Sequence, residues 1–116
     1  MSENKKTVER YMDGFRKGDH AQILGCLTDD VEWELPGGFR KKGKQAFDEE
    51  IENPAFQGRP EIVVNRMTEE NGVVVAEGAV RTQKKNGELM TLAFCDVFEL
   101  CEGRIARLVS YLMQVR

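Results

Sequence analysis

The sequence predicts an α+β fold in which helices from the first half cover a curved antiparallel sheet built mainly from the second half. Four long runs of strand-forming residues are separated by three short turn sequences, Asn71-Gly72, Asn86-Gly87 and Glu102-Gly103. Asn-Gly supplies the positive φ angles that a type I′ hairpin turn requires. Before residue 30, apolar residues recur instead with helical spacing. The expected order of elements is therefore α, α, β, α, β, β, β, β, with the helices on one face of the sheet.

The first half begins with two predicted helices and a strand. An amphipathic helix is expected because the spacing i, i+3, i+4, i+7 is occupied by Val8, Tyr11, Met12 and Phe15. Gly18 suits the end of this helix, and Asp19 suits the N-cap of a second, shorter one. Residues 31–35 alternate as a strand does, and Pro36-Gly37-Gly38 is expected to end that strand in a loop.

A third helix and a meander of four strands complete the prediction. The helix is expected over residues 44–52, ended by Asn53-Pro54, and a loop then leads to residue 61. Three successive hairpins predict antiparallel strands over residues 61–67, 73–84, 89–100 and 104–115.

Composition limits the classes of function. The 116 residues fit a single domain spanning 1–116, and the net charge of −3 argues against a nucleic-acid partner. We find neither a membrane-length apolar run nor a signal peptide, so we expect no membrane partner and a cytoplasmic location. The three cysteines match no metal spacing and His20 is the only histidine, so no metal site and no cofactor are expected.

Asp96 is the residue that points most directly to a site. It lies within Leu92–Leu100, where both faces of the strand are largely apolar, and alternation places it on one face with Phe94 and Phe98. A buried carboxylate is costly unless it is hydrogen-bonded or protonated. Two interpretations stay open: a structural acid satisfied by a tyrosine or by backbone donors, or an acid kept neutral so that it donates to a ligand oxygen.

Tyr11 and a group of apolar side chains are the other candidates for this site. Tyr11 lies on the buried face of the first helix, where tyrosine serves more often in a core than in catalysis. The candidate ligand-binding residues, seven apolar and one hydroxyl-bearing, are Trp33, Leu35, Phe47, Phe94, Phe98, Leu108, Ser110 and Leu112. Core packing is the competing interpretation for these residues.

Several segments resemble the nuclear transport factor 2-like superfamily, especially its SnoaL-like members. The likeness covers nearly the whole chain and is carried by Tyr11–Asp19, Leu24–Asp30, Val31–Pro36, Phe94–Leu100, Glu102–Ile105 and Leu108–Leu112. Their order is a helix ending in Gly-Asp, a short helix, Asp-Asp, a strand running into proline and a last hairpin. The resemblance implies a cone-shaped sheet wrapped around helices, with one deep pocket, and usually a homodimer.

The resemblance also implies which residues carry chemistry. Ketosteroid isomerases of this superfamily stabilise an oxyanion with a tyrosine and a protonated aspartate. Tyr11 and Asp96 match these two positions and are the expected catalytic residues. The general base of the isomerases, an aspartate directly before the proline of the first strand, is replaced here by Leu35. Steroid isomerisation is therefore not expected.

Two further enzyme classes of the superfamily also lack their acids here. Limonene-epoxide hydrolases use an Arg-x-Asp pair in the sheet, which aligns with Glu77 and Ala79, and an aspartate on the last strand, which aligns with Ser110. SnoaL-type polyketide cyclases use an acid near the end of the last strand, where this chain has residues 110–113 without any acid.

The expected function is the binding of a small apolar or carbonyl-bearing molecule in an apolar pocket with a Tyr11–Asp96 hydrogen-bond pair, and isomerase, cyclase and hydrolase activities stay open. A base would come from Glu77, from water or from the substrate. The alternative is a non-catalytic dimerisation or association module with a vestigial pocket. In either case a homodimer is expected through the outward-facing residues Cys95, Val97, Val109 and Tyr111, because they would otherwise leave an apolar patch in water.

Overall fold

The computed structural model describes residues 2–52 and 56–115 and confirms an α+β fold. Its elements in chain order are α1 (Glu3–Lys17), α2 (His20–Leu24), β1 (Leu27–Leu35), β2 (Phe39–Lys42), α3 (Lys44–Ile51), β3 (Phe56–Glu70), β4 (Val73–Lys84), β5 (Leu89–Cys101) and β6 (Arg104–Val115). The expected end of the third helix at Asn53-Pro54 lies outside the described residues. Relative to the predicted order, one strand, β2, is added.

The end of α1 and the start of α2 lie at the residues that the sequence indicated. The Ser2 hydroxyl oxygen accepts a hydrogen bond from the Lys5 backbone N–H, and α1 ends at Gly18 in the left-handed conformation with φ 69°. The Asp19 carboxylate then accepts from the Gln22 N–H at 3.0 Å, which caps α2. The chain reverses between the two helices within two residues, so both pack on the same side of the sheet.

The six strands form one open sheet in the order β2-β1-β6-β5-β4-β3. The meander from β3 to β6 is antiparallel, as predicted. The expectation of a wholly antiparallel sheet is wrong at one place, because β1 pairs with β6 in parallel. Turn sequences determine only which consecutive strands pair, whereas β1 reaches β6 through a contact that is distant in sequence.

Residues 39–42, expected in a loop, form the edge strand β2. The preceding four residues make a tight turn in which the Gly38 N–H donates to the Leu35 carbonyl oxygen at 2.7 Å. Pro36 at the second position and Gly37 at the third, with φ 80°, are typical of a type II turn. This turn reverses the chain, so that β2 pairs with β1 in the antiparallel direction.

The edge strand β3 begins at Phe56, five residues before the predicted start. Pro60 is tolerated inside it because an edge strand has one side without ladder hydrogen bonds. The register against β4 shifts between Gln57 and Glu61, which marks an irregularity at this point. The glycine and proline of residues 56–60 are typical of a loop, but this segment belongs to the sheet.

The core lies between the helices and the inner face of the sheet. Its fully buried side chains are Val8, Ile23, Cys26, Leu27, Val31, Phe47, Val74, Phe98, Ile105 and Leu108. Gly78 on β4 marks a close approach of two strands, since a Cβ there would lie 1.8 Å from the Val63 carbonyl oxygen. The adjacent register shift between Val64 and Arg66 bends the sheet around the helices.

Candidate functional site

A cavity of about 240 Å³ lies between the helices and the concave face of the sheet. The helices contribute Tyr11, Met12, Phe15 and Ile51 to its wall. The sheet contributes residues from every strand except β2, namely Trp33, Pro60, Ile62, Val80, Thr82, Leu92, Phe94, Asp96, Ser110 and Leu112. The wall is mostly apolar, and Asp96 is the one ionisable carboxyl among these lining residues. The chemistry of the cavity therefore centres on that group.

The sheet register brings Asp96 beside Ser110. The two residues are direct partners on β5 and β6, so both side chains point to the concave face. The Ser110 hydroxyl oxygen accepts a hydrogen bond from Trp33 Nε1 at 3.0 Å, and the hydroxyl lies close enough to the Asp96 carboxyl to lower the pKa of that group. Because Trp33 occupies only a lone pair of the hydroxyl oxygen, the hydroxyl proton remains free to be donated to the carboxylate.

Burial dominates the protonation of Asp96. Desolvation raises the pKa of its carboxyl from 3.8 to about 7, and the hydrogen bond from Ser110 opposes this rise only in part. The carboxyl faces aromatic and aliphatic walls, so the charged form loses the water that would stabilise it. The shift has the predicted direction, and a carboxyl with this pKa carries a proton that it can donate in a large fraction of the molecules near neutral pH.

Tyr11 borders the same cavity from α1. Its ring is 3% exposed and makes edge contacts with Phe15 and Phe98 at centroid distances of 5.1 and 5.4 Å. Burial raises the pKa of its hydroxyl well above 10, and the negative charge of Asp96 adds to that rise. The expected hydrogen bond between Tyr11 and Asp96 is not among the hydrogen bonds of the described residues. The Tyr11 hydroxyl and the neutral Asp96 carboxyl thus line the same cavity as donors without a direct bond between them.

The structure separates the eight predicted ligand-binding residues into two groups. Trp33, Phe94, Ser110 and Leu112 line the cavity together with Tyr11 and Asp96. The remaining four, Leu35, Phe47, Phe98 and Leu108, do not belong to its wall.

These four residues support the fold around the cavity. Phe47 is buried and stacks on Trp33 with a centroid distance of 4.2 Å, while Phe98 and Leu108 lie in the core. Leu35 covers the β1–β2 turn, since a Cβ added at Gly38 would lie 2.6 Å from its Cδ2. They hold the lining side chains in place rather than facing the cavity.

Part of the wall was missed at the sequence level. Val80 and Thr82 on β4 and Leu92 on β5 share the concave face with Phe94 and Asp96. Alternation along β5 places Leu92 on the same face as Asp96, and alternation along β4 places Val80 and Thr82 together on one face. The sequence therefore contained the pattern that could have identified them. The sequence predicts a loop at Pro60 and does not indicate which face of the following strand Ile62 occupies. Neither residue could therefore be identified as part of the cavity wall.

The proposed alternative base, Glu77, is on the wrong face. It pairs with Cys95 across β4 and β5, so its side chain points to the convex side of the sheet, away from Asp96. There it forms an ion pair with Arg66 at 2.7 Å. His20 is also remote from the wall, where its ring bridges Asp48 at 2.5 Å and Glu52 at 3.1 Å. Neither group can take a proton from a molecule in the cavity.

Solved structures with the same arrangement define the class of fold as nuclear transport factor 2-like. A protein of this class from Burkholderia pseudomallei K96243, of unknown function, is 25% identical with a TM-score of 0.87, over 97% of this chain and 92% of that one. A candidate polyketide cyclase from Xanthomonas campestris pv. campestris is 27% identical with a TM-score of 0.80, over 94% and 89%. An LEH-like epoxide hydrolase of M. tuberculosis shares the fold, with 23% identity and a TM-score of 0.83 over 96% and 83%.

The family follows from the sequence itself. Residues 8–108 match the SnoaL-like domain, and the chain belongs to that family. The resemblance seen in the sequence is thereby confirmed. No curated protein matches the chain. None of the helices within residues 2–52 and 56–115 combines the length and hydrophobicity that crossing a bilayer requires.

Proposed function

We propose that this SnoaL-like domain binds a small apolar or carbonyl-bearing molecule in the cavity, with Tyr11 and neutral Asp96 donating hydrogen bonds to a ligand oxygen. The observation that carries the proposal is a carboxyl with a pKa of about 7 in a mostly apolar wall. A perturbed acid in a concave apolar cavity is typical of a binding or catalytic site. A ligand oxygen would satisfy both donors at once.

Catalysis at this site would rest on the polarisation of that oxygen. Two aligned donors stabilise negative charge that develops on a substrate oxygen, as in an oxyanion hole. The lining residues contain no second carboxylate and no histidine that could shuttle a proton. A reaction would therefore take its base from water or from the substrate, or Asp96 would itself act in its ionised form. Binding of a ligand without catalysis requires no base at all.

The volume of the cavity determines which small molecule can serve as a probe of ligand binding. An apolar cavity of about 150 Å³ is enough for benzene, so the larger cavity here can accept a bicyclic aromatic molecule. β-Naphthol combines such a ring with one oxygen. We expect its titration into the protein to shift the backbone amide NMR signals of Tyr11, Asp96 and Ser110, because the ring would enter between these residues.

A matched pair of variants tests the location. Leu112 lines the cavity, whereas its neighbour Met113 is 72% exposed on the other side of β6. Leu112→Trp fills part of the cavity and should abolish β-naphthol binding, while Met113→Trp makes a similar change outside and should preserve it. Equal binding by the two variants, or no saturable binding by the wild type, would refute the proposed cavity function.

The second candidate function, an association module, is favoured by the apolar convex face. Tyr111 is 51% and Met113 72% exposed, and Cys95 and Val97 on the adjacent strand are half-buried. Val109, expected to add to this surface, is only 4% exposed. We propose that the convex face pairs two copies of the chain, because a patch of this kind is costly in water. A dimer that retains its stability when Leu112→Trp fills the cavity would show that association does not need the site.

A further inference from the structure

The apolar cavity opens into a second space, which we call the vestibule. The vestibule has a volume of about 350 Å³ and shares four residues of its wall with the cavity, namely Phe15, Ile51, Pro60 and Thr82. Its remaining wall comes from Gly18, Glu52, Gly58 and Arg59. Unlike the cavity, the vestibule contains a cationic side chain. A molecule that fills the cavity and extends outward would meet that cation.

The carboxylate of the vestibule already has a partner. Glu52 Oε2 lies 3.1 Å from His20 Nε2, and the other ring nitrogen of His20 contacts Asp48 at 2.5 Å. The hydrogen bond that the His20 ring donates to the Asp48 carboxylate, with a smaller contribution from Glu52, raises the pKa of the imidazole and favours its charged form. Glu52 is therefore engaged with α2 rather than with the arginine across the vestibule.

Arg59 is an exposed arginine that lies beside the end of α1. A Cβ at Gly18, the C-cap of α1, would lie 3.6 Å from Arg59 Nε, which places the guanidinium over the carbonyl end of the helix. The partial negative charge of a helix C-terminus attracts a cation to this position. Among residues 2–52 and 56–115, neither the ion pairs nor the hydrogen bonds involve the exposed Arg59 side chain, so its donors can face a ligand in the vestibule.

Thr82 lies at the junction of the two spaces. Its side chain belongs to the walls of both the cavity and the vestibule. The hydrogen bonds of the described residues leave its hydroxyl unassigned, so it can donate to a ligand group that passes from one space to the other. Arginine and a hydroxyl side by side match the planar geometry of a carboxylate, which a guanidinium binds with two parallel hydrogen bonds.

We infer that the ligand is an amphipathic organic acid whose apolar part fills the cavity and whose carboxylate lies in the vestibule against Arg59 and Thr82. This inference rests on the proposed ligand-binding function and adds the class of ligand. It also fixes the orientation of the ligand: the acid group stays away from Asp96, and an oxygen at the other end can reach that donor. A neutral hydrocarbon would make no use of the Arg59 cation.

The experiment compares an acid with its amide of the same shape. β-Naphthylacetate and β-naphthylacetamide differ in charge but hardly in size, and isothermal titration calorimetry measures both affinities at the same ionic strength. We expect the wild type to bind the acid about tenfold more tightly, the size of effect typical of one charge-assisted pair. Arg59→Gln should remove this preference, because it lowers the affinity for the acid more than the affinity for the amide.

Arg104 supplies the matched control. It is an exposed arginine at the start of β6 and lies outside the walls of the cavity and the vestibule. Arg104→Gln removes the same charge and should retain the preference for the acid.

Three results would overturn the inference. Equal binding of acid and amide by the wild type, or an equal loss in both variants, would reject the carboxylate site but leave the cavity function intact. Binding of neither probe would reject the cavity function, and the inference with it.

Discussion

Replacing Asp96 with asparagine should change how the stability of the protein depends on pH. Asparagine has nearly the same shape and keeps a donor, but it cannot ionise. In the wild type, burial raises the pKa of the Asp96 carboxyl in the folded state to about 7, against 3.8 for an ordinary aspartate. A raised folded-state pKa means that the folded protein holds this proton more tightly than the unfolded chain does.

The size of the change in unfolding free energy follows from the difference between the folded and unfolded pKa values of Asp96. Below about pH 4 both states of the chain are protonated at Asp96, and the stabilising contribution of the neutral acid is fully present. Between about pH 4 and about pH 7 the folded state holds one more proton, so the free energy of unfolding falls by about 1.4 kcal/mol per pH unit. The total loss over this window is about 4 kcal/mol as an order of magnitude, and it levels off above the folded pKa.

The assay is urea unfolding of the wild type and Asp96→Asn at a series of pH values. We expect the variant to gain stability relative to the wild type as pH rises through this window, since it lacks the falling contribution. A carboxyl NMR titration of Asp96 reports the pKa directly. Ser110→Ala should raise that pKa further, because the hydrogen bond from Ser110 favours the charged form.

Asp13 is a control residue, because the shift in its pKa has the opposite sign to that of Asp96. Hydrogen bonds from Lys17 and Gln22 lower the pKa of this carboxyl, so its stabilising contribution is present above the unfolded pKa and is lost only as pH falls below it. Asp13→Asn should therefore leave the slope between about pH 5 and about pH 8 unchanged. An Asp96 pKa at or below the unfolded value, or a wild-type slope that persists in Asp96→Asn, would refute the neutral-donor role.

Three further predictions concern association, activity and packing. Val97→Lys should weaken the proposed homodimer by at least about tenfold, because it would bury a charge in an apolar interface; a wild type that sediments as a monomer at micromolar concentration would contradict the interface. Neither steroid isomerisation nor limonene-epoxide hydrolysis should exceed the uncatalysed rate, since Leu35 and Ala79 occupy positions where those reactions need acids; product formation that is lost on unfolding would show a base that we have not recognised. Gly78→Ala should destabilise the fold by about 3 kcal/mol in chemical denaturation, because the added methyl group would overlap the Val63 carbonyl oxygen; an unchanged midpoint would contradict the close approach of β3 and β4.

The sequence by itself determined the parts of the fold that depend on neighbouring residues. The cap of α2 at Asp19 and the end of α1 at Gly18 follow from side-chain and φ preferences within one turn. The hairpin turns of the meander follow in the same way, with Asn71 at φ 53° and Gly72 at φ 78° between β3 and β4. The importance of Asp96 was also evident locally, because an acid between phenylalanines on a strand face is costly wherever that face is buried.

Tertiary structure decided the composition of the site. Phe94 and Phe98 share one face of β5, but only Phe94 lines the cavity, because Phe98 is fully buried and packs against Tyr11 of α1. Alternation along a strand indicates a face and not a depth. The outward position of Glu77 likewise depended on the pairing of β4 with β5. The parallel contact between β1 and β6, which brings Trp33 beside the last strand, had no local signal.

The polar end of the cavity depends on one irregularity in β6. Leu100 pairs with Ile105, but Glu99 pairs with Arg107, so one residue of β6 is left over between these pairs. A bulge of this kind reverses which alternate residues of a strand face inward. Without it, Asp96 would lie opposite a valine of β6 rather than opposite Ser110. The sequence supplied the serine and the aspartate, but the pairing that joins them arises from the register of two strands packed against the helices.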